Sequence, residues 1–360
     1  MARPSPRPHR VAVVQRPPVL LDREAGLERA LLTIDEAAAE GARLVAFPEA
    51  FLPGYPEYIW RLLPGADYDL SRELHGRLVA NSVDLSGDDL RPIREAARRH
   101  GIVVMIGIHE RDAAFSRATL YNTLVTIGPD GTIRNRHRKL VPTNPERMVW
   151  AAGDASGLRV VDTPLGRVGG LICWESYMPL ARFSLYAQGI QLYVASTWDE
   201  GEVWLATMRH IAAEGRCWVL GSGCSLRASD IPAWFPDRER LYPDPDEWLN
   251  PGDSVIVAPG GAIVAGPLHQ EHGILYADCD PAAADAGHYT LDAAGHYNRP
   301  DIFSLTVQRA GASQIAFIDE AGRPRGATGA APEMPPGAGS AGTAAMARPA
   351  RPQIEHDGQV

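Results

Sequence analysis

The sequence predicts an α/β protein, because a strand–helix–strand pattern occurs twice in the chain. The first copy runs from a β-branched segment at Val11–Gln15 through an amphipathic helix to a strand that ends at Phe47. The second copy runs from Val168 through a cysteine-containing turn and a helix to a strand that ends at Ser196. Two such units place parallel strands in a sheet and helices on its faces.

The first unit begins with the strand Val11–Gln15. In the helix Asp22–Gly41, apolar residues recur on one face, and the final glycine is a typical C-terminal stop. The strand Leu44–Phe47 completes the unit. It ends at Pro48-Glu49, and the carboxyl end of a strand is where α/β sheets usually carry their chemistry.

The middle of the chain is predicted to hold two helices followed by strands. Helical periodicity marks Leu70–Asn81 and Asp88–His100. Apolar strands follow at Ile102–Ile108 and Thr119–Ile127. A Gly-Pro-Asp-Gly turn then joins the second of these to Thr132–Arg136 in a hairpin.

The second unit is predicted from the same two signals, short apolar runs and helical spacing. Its strands are predicted at Leu158–Asp162, Val168–Ile172, Gln191–Ser196 and Cys217–Gly221, and its helices at Leu180–Gly189 and Gly201–Gly215.

The C-terminal part begins with a Pro- and Asp-rich segment, Ser229–Asn250, which we expect to be a surface or assembly loop. A hairpin follows at Asp253–Ala258 and Ala262–Ala265, around a Gly-Gly turn. Gly273–Cys279 is predicted as the last central strand, and Asp301–Val307 as a final short strand.

Composition divides the chain into three parts. Residues 1–9 form an N-terminal arm, and residues 10–310 form one domain that carries every candidate site residue. Residues 311–360 are rich in Gly, Ala and Pro, with few large apolar side chains. This tail is expected to be disordered, because it cannot bury enough surface to offset its ordering entropy.

Charge and composition restrict the classes of partner. The 360 residues are 45% hydrophobic and 22% charged, with a formal net charge of -9. No basic stripe is present and apolar runs are only of strand length, so neither nucleic acid nor a membrane is an expected partner. The N-terminus is unlike a secretory signal, and the four cysteines lack zinc-site or disulfide-framework spacing. A cytoplasmic location is expected.

A candidate nucleophile stands where a buried strand meets a helix. The apolar strand stops at Cys173, and Pro179 follows just before the predicted helix Leu180–Gly189. Such a strand-to-helix turn can push a nucleophile out of a sheet into a cleft. A buried structural cysteine is the alternative, because free cysteine often packs as a small core hydrophobe.

Lysine is almost absent from this chain. Of 35 Lys and Arg residues only Lys139 is a lysine. Arginine cannot replace lysine where a compact charge or a shiftable pKa is needed, which favours a functional role over chance survival on the surface. Lys139 lies between a hairpin and a Pro-broken loop, and Glu146 is a second acid close by. Glu49 is either a catalytic carboxylate or a solvated loop acid.

Aromatic residues accumulate in the loop after Glu49. Tyr55 and Trp60 lie there among prolines and glycines, and Trp198 follows a later strand. These three residues are candidate walls of an apolar pocket, because loops after strands commonly carry function. Core or interface packing is the alternative for each.

Glu49, Lys139 and Cys173 each end a strand pattern, and the chain from about residue 8 to 308 resembles the nitrilase superfamily of carbon–nitrogen hydrolases. The motifs that carry the resemblance are Phe47–Phe51 with Pro53–Pro56, His137–Leu140 with Pro142-Thr143 and Glu146-Arg147, Gly169–Glu175 with Met178-Pro179, Met208–Ala212 with Glu214–Arg216, and Gly295–Tyr297 with Arg299–Asp301. The Cys-Trp-Glu form is more similar to the nitrile-hydrolysing branch than to the amidase branches. The resemblance implies a four-layer α-β-β-α sandwich.

The resemblance also implies roles for individual residues. Cys173 would be the nucleophile and Glu49 the general base. Lys139 and the backbone N–H of Trp174 would stabilise the negative intermediates, and Glu146 would position Lys139 or relay protons. Trp174 thereby joins the candidate substrate-binding residues.

The expected substrate is an organic nitrile, converted to its carboxylic acid and ammonia with no metal or organic cofactor. The resemblance also implies homo-oligomers, with a dimer as building block. The helices after Cys173 and at Gly201–Gly215 resemble the dimer surfaces of the family, and a larger spiral is an implied extension. An amidase of the same fold and a non-catalytic binding scaffold are the alternatives. The sequence departs from the family pattern at Asn144-Pro145, before Glu146, and at Trp198, where many nitrilases carry a small residue. If Trp198 faces the pocket, the size of the substrate stays open.

Overall fold

The computed structural model describes residues 8–113 and 116–310, together with residues 317–318 and 324–325. The chain divides into a compact unit at 1–315 and a second unit at 316–360. In the second unit, Phe317–Ile318 pairs antiparallel with Pro324–Arg325. The remainder of the predicted disordered tail, and residues 1–7 of the predicted arm, lie outside the described residues.

Thirteen strands and seven helices form the described part of the first unit. The strands are β1 (His9–Gln15), β2 (Leu44–Ala46), β3 (Val103–Arg111), β4 (Leu120–Ile127), β5 (Ile133–Arg138), β6 (Val161–Thr163), β7 (Gly166–Ile172), β8 (Leu192–Thr197), β9 (Trp218–Gly223), β10 (Ser225–Arg227), β11 (Trp248–Val257), β12 (Ile263–His269) and β13 (Gly273–Cys279). The helices are α1 (Arg23–Ala39), α2 (Tyr68–Asn81), α3 (Arg91–His100), α4 (Pro179–Tyr186), α5 (Gly201–Gly215), α6 (Arg238–Leu241) and α7 (Pro281–Gly287).

The strands form two sheets. The first has the order β13-β1-β2-β3-β4-β5, in which β1, β2 and β3 are parallel. The second has the order β10-β11-β9-β8-β7-β6, with β12 paired to β11, and its parallel strands are β7, β8 and β9. Each parallel set contains the two strands of one predicted strand–helix–strand unit and one later strand, β3 or β9.

Helix boundaries follow local chemistry. The Asp22 side chain caps α1 by accepting a hydrogen bond from the N–H of Ala25 at 3.0 Å. Pro92 occupies the first turn of α3, and Gly101 ends that helix in the left-handed region at φ 60°. Only glycine adopts this conformation without steric cost.

Apolar side chains define four layers. Ile34 of α1 and Ile93 of α3 pack on the outer face of the first sheet. Between the sheets, Val13 and Val194 belong to one shared core. Trp204 of α5 packs, with α4, on the outer face of the second sheet. The predicted α-β-β-α sandwich is therefore confirmed.

A further apolar cluster covers the loops that follow β2. It brings Tyr58 together with Leu74 of α2 and with Phe235 and Tyr242 from the segment after β10. The prediction that Ser229–Asn250 is a surface loop is therefore wrong for its apolar residues. Apolar side chains spaced among the prolines pack inward, and the segment contributes a short helix and the start of β11.

Three other predictions are corrected. Gly273–Cys279 is an edge strand in the part of the chain that the structure describes, because it pairs there with β1 alone. Asp301–Val307 forms no strand; Phe303 there is 71% exposed, and β-forming residues need a sheet edge to pair with. The strand predicted at Leu158–Asp162 begins only at Val161, after a short 3-10 turn. Among the described residues, no helix combines the length and apolarity needed to cross a bilayer.

Candidate active site

The candidate site lies where the parallel strands of both sheets end. Ser196 at the end of β8 donates its hydroxyl to the carbonyl of Phe47 at 2.8 Å, and Ser222 on β9 donates to a β1 carbonyl at 2.9 Å. The thiol of Cys224 contacts the carbonyl of Glu49 at 3.4 Å. A buried carbonyl that lies beyond the last hydrogen bond between paired strands needs another donor, and these side chains provide one. These contacts hold the loop that carries Glu49, at the end of β2, against the second sheet.

Cys173 occupies the predicted turn. The strand β7 ends at Ile172, and Cys173 begins a 3-10 helix with φ at 53°. A positive φ at a non-glycine residue is a strained conformation that recurs at functional sites. The neighbouring Gly170 is required by close packing, because a Cβ there would overlap the carbonyl oxygen of Val194.

Glu49 is fully buried and receives three hydrogen bonds. Asn122 and Lys139 both donate to Oε1 at 2.7 Å, and the backbone N–H of Trp198 donates to Oε2 at 2.8 Å. Burial raises the pKa of Glu49 to about 7; the Lys139 charge opposes this rise, and the Glu146 charge adds to it. A carboxylate poised near neutrality is suited to general-base catalysis.

Lys139 lies just beyond β5 and connects the two acids. Its ammonium is 2.7 Å from Glu49 Oε1 and 2.7 Å from Glu146 Oε2, and its side chain is completely buried. Burial alone would lower its pKa, but the charges of Glu49, Cys173 and Glu146 outweigh that effect and raise the pKa. The surrounding charges therefore favour the protonated, cationic form of Lys139.

Glu146 belongs to a 3-10 turn capped by Thr143. Its Oε2 accepts from the N–H of Thr143 and from Lys139, each at 2.7 Å, and its Oε1 accepts from the hydroxyl of Tyr55 at 2.8 Å. This capping-box arrangement orients the acid toward the lysine.

The thiol of Cys173 lies close enough to these groups to respond to their charges. Burial raises its pKa above the ordinary value, and the Glu49 charge raises it further, while Lys139 and a hydrogen bond from Thr197 oppose the rise. These effects favour the protonated thiol form of Cys173.

Glu175, for which the sequence analysis gave no role, is buried and hydrogen-bonded to residues near the ends of β5 and β7. It accepts from His137 Nε2 at 2.9 Å, from the N–H of Leu140 at 2.7 Å and from the N–H of Ile172 at 2.8 Å. Burial favours its protonated form, but His137 and the N–H donors outweigh that effect and lower its pKa. Since Leu140 follows the lysine and Ile172 precedes the cysteine, Glu175 sets their separation.

Three of the four candidate pocket residues form one cluster. The Tyr55 ring stacks on Trp198 at 4.2 Å between centroids, and the Trp60 indole donates to the Tyr55 hydroxyl at 3.2 Å. Trp174 packs edge-on against Tyr177 instead and is 49% exposed. The assignment of all four to a substrate pocket stays a prediction.

Two further residues that the sequence analysis missed support the aromatic loop. Trp150 donates to His109 Nδ1 at 3.0 Å, and His109 Nε2 then donates to the carbonyl of Gly54 at 2.9 Å. Burial lowers the pKa of His109 to about 3, so the imidazole is neutral. Within the residues that the structure describes, no group of three or more His, Cys, Asp or Glu side chains could hold a metal ion.

Comparison with known proteins assigns the chain to a family. The profile described as "Carbon-nitrogen hydrolase" matches residues 10–289. The "Aliphatic nitrilase" of Sinorhizobium fredii (strain HH103) is 42% identical over 299 residues, which cover 83% of this chain and 95% of that protein. The "Bifunctional nitrilase/nitrile hydratase NIT4A" of Lupinus angustifolius is 35% identical over 322 residues, covering 86% of this chain and 88% of that protein.

The fold comparison agrees. The crystal structure of Saccharomyces cerevisiae Nit3, described as a member of branch 10 of the nitrilase superfamily, matches with a TM-score of 0.61 and 20% identity. The match covers 83% of this chain and 99% of that chain. The resemblance predicted from the three motifs is thus confirmed, and the chain belongs to the carbon–nitrogen hydrolase family.

Proposed function

We propose that this protein hydrolyses organic nitriles to carboxylic acids and ammonia, with Cys173 as nucleophile. The observation that carries the proposal is the buried cluster in which Lys139 bridges Glu49 and Glu146 beside that thiol. The chain is similar to 95% of the length of a protein named aliphatic nitrilase. This similarity supports the choice of substrate class.

In the first step, Glu49 accepts the thiol proton as sulfur attacks the nitrile carbon. The carbon–sulfur bond forms, one nitrile π bond breaks, and the proton passes to nitrogen, giving a neutral thioimidate. An ordinary thiol costs about 2 kcal/mol to ionise at neutral pH, and the raised pKa of Cys173 increases that cost, so we assign Glu49 to take the proton as the sulfur attacks. Enzymes lower barriers by about 8 kcal/mol or more, so stabilisation of the charge that develops on nitrogen must contribute as well. We assign this second role to Lys139.

The backbone N–H of Trp174 is the second proposed donor. It lies in the first turn of the 3-10 helix that begins at Cys173, where N–H groups have no partner within the helix. Such groups favour negative charge.

Two waters complete the cycle. The first adds to the thioimidate, with Glu49 as base, and the tetrahedral species expels ammonia to leave a thioester. The second, activated by the same carboxylate, attacks the thioester carbonyl, releases the acid and returns the proton to sulfur. Glu146 keeps Lys139 in place throughout. No step needs a metal or an organic cofactor.

We also propose that the chain forms homodimers through α4 and α5. Leu180 and Val203 on these helices are 66% and 71% exposed. Large apolar side chains exposed on adjacent elements are typical of interaction surfaces.

Product analysis tests the reaction. Phenylacetonitrile, benzonitrile, an aliphatic dinitrile and cyanide are each incubated with the protein, alongside the matched amides, and ammonia, acid and amide are quantified. We expect acid and ammonia from at least one nitrile, and slower turnover of its amide. Hydrolysis of amides without turnover of any nitrile, by protein shown to be folded, would overturn the proposal in favour of an amidase.

A further inference from the structure

The hydroxyl of Tyr55 belongs to a chain of donors that starts at the surface and ends at the candidate site. Trp60, which is 47% exposed, donates its indole N–H to the Tyr55 oxygen at 3.2 Å. The fully buried Tyr55 then donates its hydroxyl proton to Glu146 Oε1 at 2.8 Å. The chain continues through Glu146 Oε2 to Lys139 at 2.7 Å.

The direction of each donation is determined by chemistry. An indole N–H can only donate, so it occupies an acceptor position on the Tyr55 oxygen. Burial raises the pKa of Tyr55, and the charges of Glu146, Glu49 and Cys173 raise it further, so the hydroxyl remains protonated. With the indole on its oxygen, the hydroxyl proton is directed to Glu146.

Glu146 needs this donor to stay in one orientation. Its Oε2 is held by Lys139 and by the N–H of Thr143. Its Oε1 is buried, and within the described residues the donor to that oxygen is Tyr55. A buried carboxylate oxygen without a donor is costly, and rotation to recover one would break the shared contact with Lys139.

We propose that Tyr55 is a positioning residue, whose hydroxyl, oriented by Trp60, holds Glu146 so that Lys139 is shared between Glu146 and Glu49. The proposal rests on the proposed function, since it takes Cys173, Glu49 and Lys139 as the reacting groups. It differs from a pocket-wall role, in which the tyrosine ring would contact substrate.

Replacing Tyr55 with phenylalanine removes the hydroxyl and keeps the ring. The Tyr55 ring is held by stacking on Trp198 and by edge contact with Trp150 at 5.7 Å, and phenylalanine keeps both contacts. Tyr58 is a matched control in the same loop. It is equally buried, and its hydroxyl has no hydrogen-bond partner among the described residues.

The experiment compares Tyr55→Phe, Trp60→Phe and Tyr58→Phe with the wild type, using whichever of a nitrile and its matched amide the wild type hydrolyses. For Tyr55→Phe we expect kcat to fall about 10- to 100-fold, the effect of losing a hydrogen bond to a charged group, with KM changed less than about threefold. Trp60→Phe should show a smaller fall, and Tyr58→Phe should match the wild type. Thermal unfolding confirms that all three variants are folded.

The pH profile separates positioning from simple structural support. The charged and titratable groups around Glu146 are Lys139, Glu49, Cys173 and Tyr55 itself. Glu49 is expected to set the acid side of the pH profile, and its pKa depends on the charges of Lys139 and Glu146, so a displaced Glu146 should move that side of the profile in Tyr55→Phe. A purely packing role would leave it in place.

Several outcomes overturn the proposal. Equal kcat and pH profiles for Tyr55→Phe and Tyr58→Phe would show that the hydroxyl does not act through Glu146. A raised KM with unchanged kcat would make Tyr55 a pocket wall. Wild-type turnover of the amide alone would refute the nitrile assignment and still test Tyr55, whereas a folded wild type that hydrolyses neither compound would overturn both proposals.

Discussion

Lys139 and Glu49 lie 90 residues apart in the chain, yet the lysine ammonium contacts Glu49 Oε1 at 2.7 Å with both side chains completely buried. The same ammonium contacts Glu146, so the cluster holds two carboxylates and one cation. Desolvating three ionisable groups costs folding free energy. Such a cluster is typical of sites where catalysis uses a fixed charge.

Cys173→Ala is expected to abolish turnover while leaving the fold intact, because it removes the sulfur that forms both of the proposed covalent intermediates. The matched control is Cys217→Ala, another buried cysteine, whose pKa burial raises to about 12. Ammonia release and thermal unfolding are the measurements. Residual activity in Cys173→Ala at more than trace level would contradict the covalent scheme.

Lys139→Met is expected to destabilise the protein by about 3–5 kcal/mol, because it leaves the buried carboxylates of Glu49 and Glu146 without their cation. The deficit should shrink as the pH falls, since protonation neutralises the unpaired acids. Urea unfolding at several pH values checks this. The control is Arg72→Met, which breaks the exposed pair with Asp69 and should change stability by less than about 1 kcal/mol. Equal effects of the two substitutions would argue against a buried charge cluster.

Glu49 should impose a pH limit on activity. Its pKa is raised to about 7, and a general base must be ionised in the free enzyme. We therefore expect kcat/KM to fall below about pH 7, as the carboxylate takes up a proton. Initial rates between pH 5 and 9 measure this limb; a profile that is flat through this range would count against Glu49 as the base.

The same pKa predicts how stability depends on pH. A carboxyl whose folded pKa is raised contributes stability that is present below its unfolded pKa and is lost as the pH rises through the folded value. For Glu49 the window runs from its ordinary value of 4.5 to about 7, a linkage on the order of 3 kcal/mol. Glu49→Gln removes this term, so its stability relative to wild type should improve from pH 5 to pH 8. Denaturant unfolding at both pH values tests the sign.

Glu175→Gln is expected to cost about 2–4 kcal/mol of stability and to lower kcat, because the amide cannot match the charged acceptor of His137 and two N–H groups. The lowered pKa of Glu175 means that its contribution is present at neutral pH and is lost as the pH falls through that lowered value. Glu73→Gln, in an exposed pair with Arg77, is the control. If both variants behave alike, Glu175 does not set the separation of lysine and cysteine.

Val203→Arg should dissociate the proposed homodimer, because it places a charge in an interface that would otherwise bury an apolar side chain. Sedimentation or light scattering reports the mass. Leu32→Arg is the matched control, since Leu32 is also exposed, at 64%, but lies on α1. Unchanged mass in Val203→Arg, or an equal loss in both variants, would move the interface away from α5.

Much of the fold followed from local patterns. Helical spacing located α5 at its observed bounds, Gly201–Gly215, and short apolar runs located the parallel strands of both sheets. The strand predicted at Asp301–Val307 failed because no local signal tells whether a sheet edge is available to it. The inward packing of Phe235 and Tyr242 was missed for a similar reason, since proline-rich composition obscures which side chains find a core.

The sequence by itself determined which residues are candidates for the chemistry: a lone lysine, an acid after a strand and a cysteine at a strand-to-helix turn can each be identified from neighbouring residues. Only the tertiary structure decided what holds them. Asn122 donates a hydrogen bond to Glu49, which is 73 residues away in the sequence, and Tyr55 donates one to Glu146, which is 91 residues away. Such contacts have no period or motif, because they depend on which loops two packed sheets bring to the same edge.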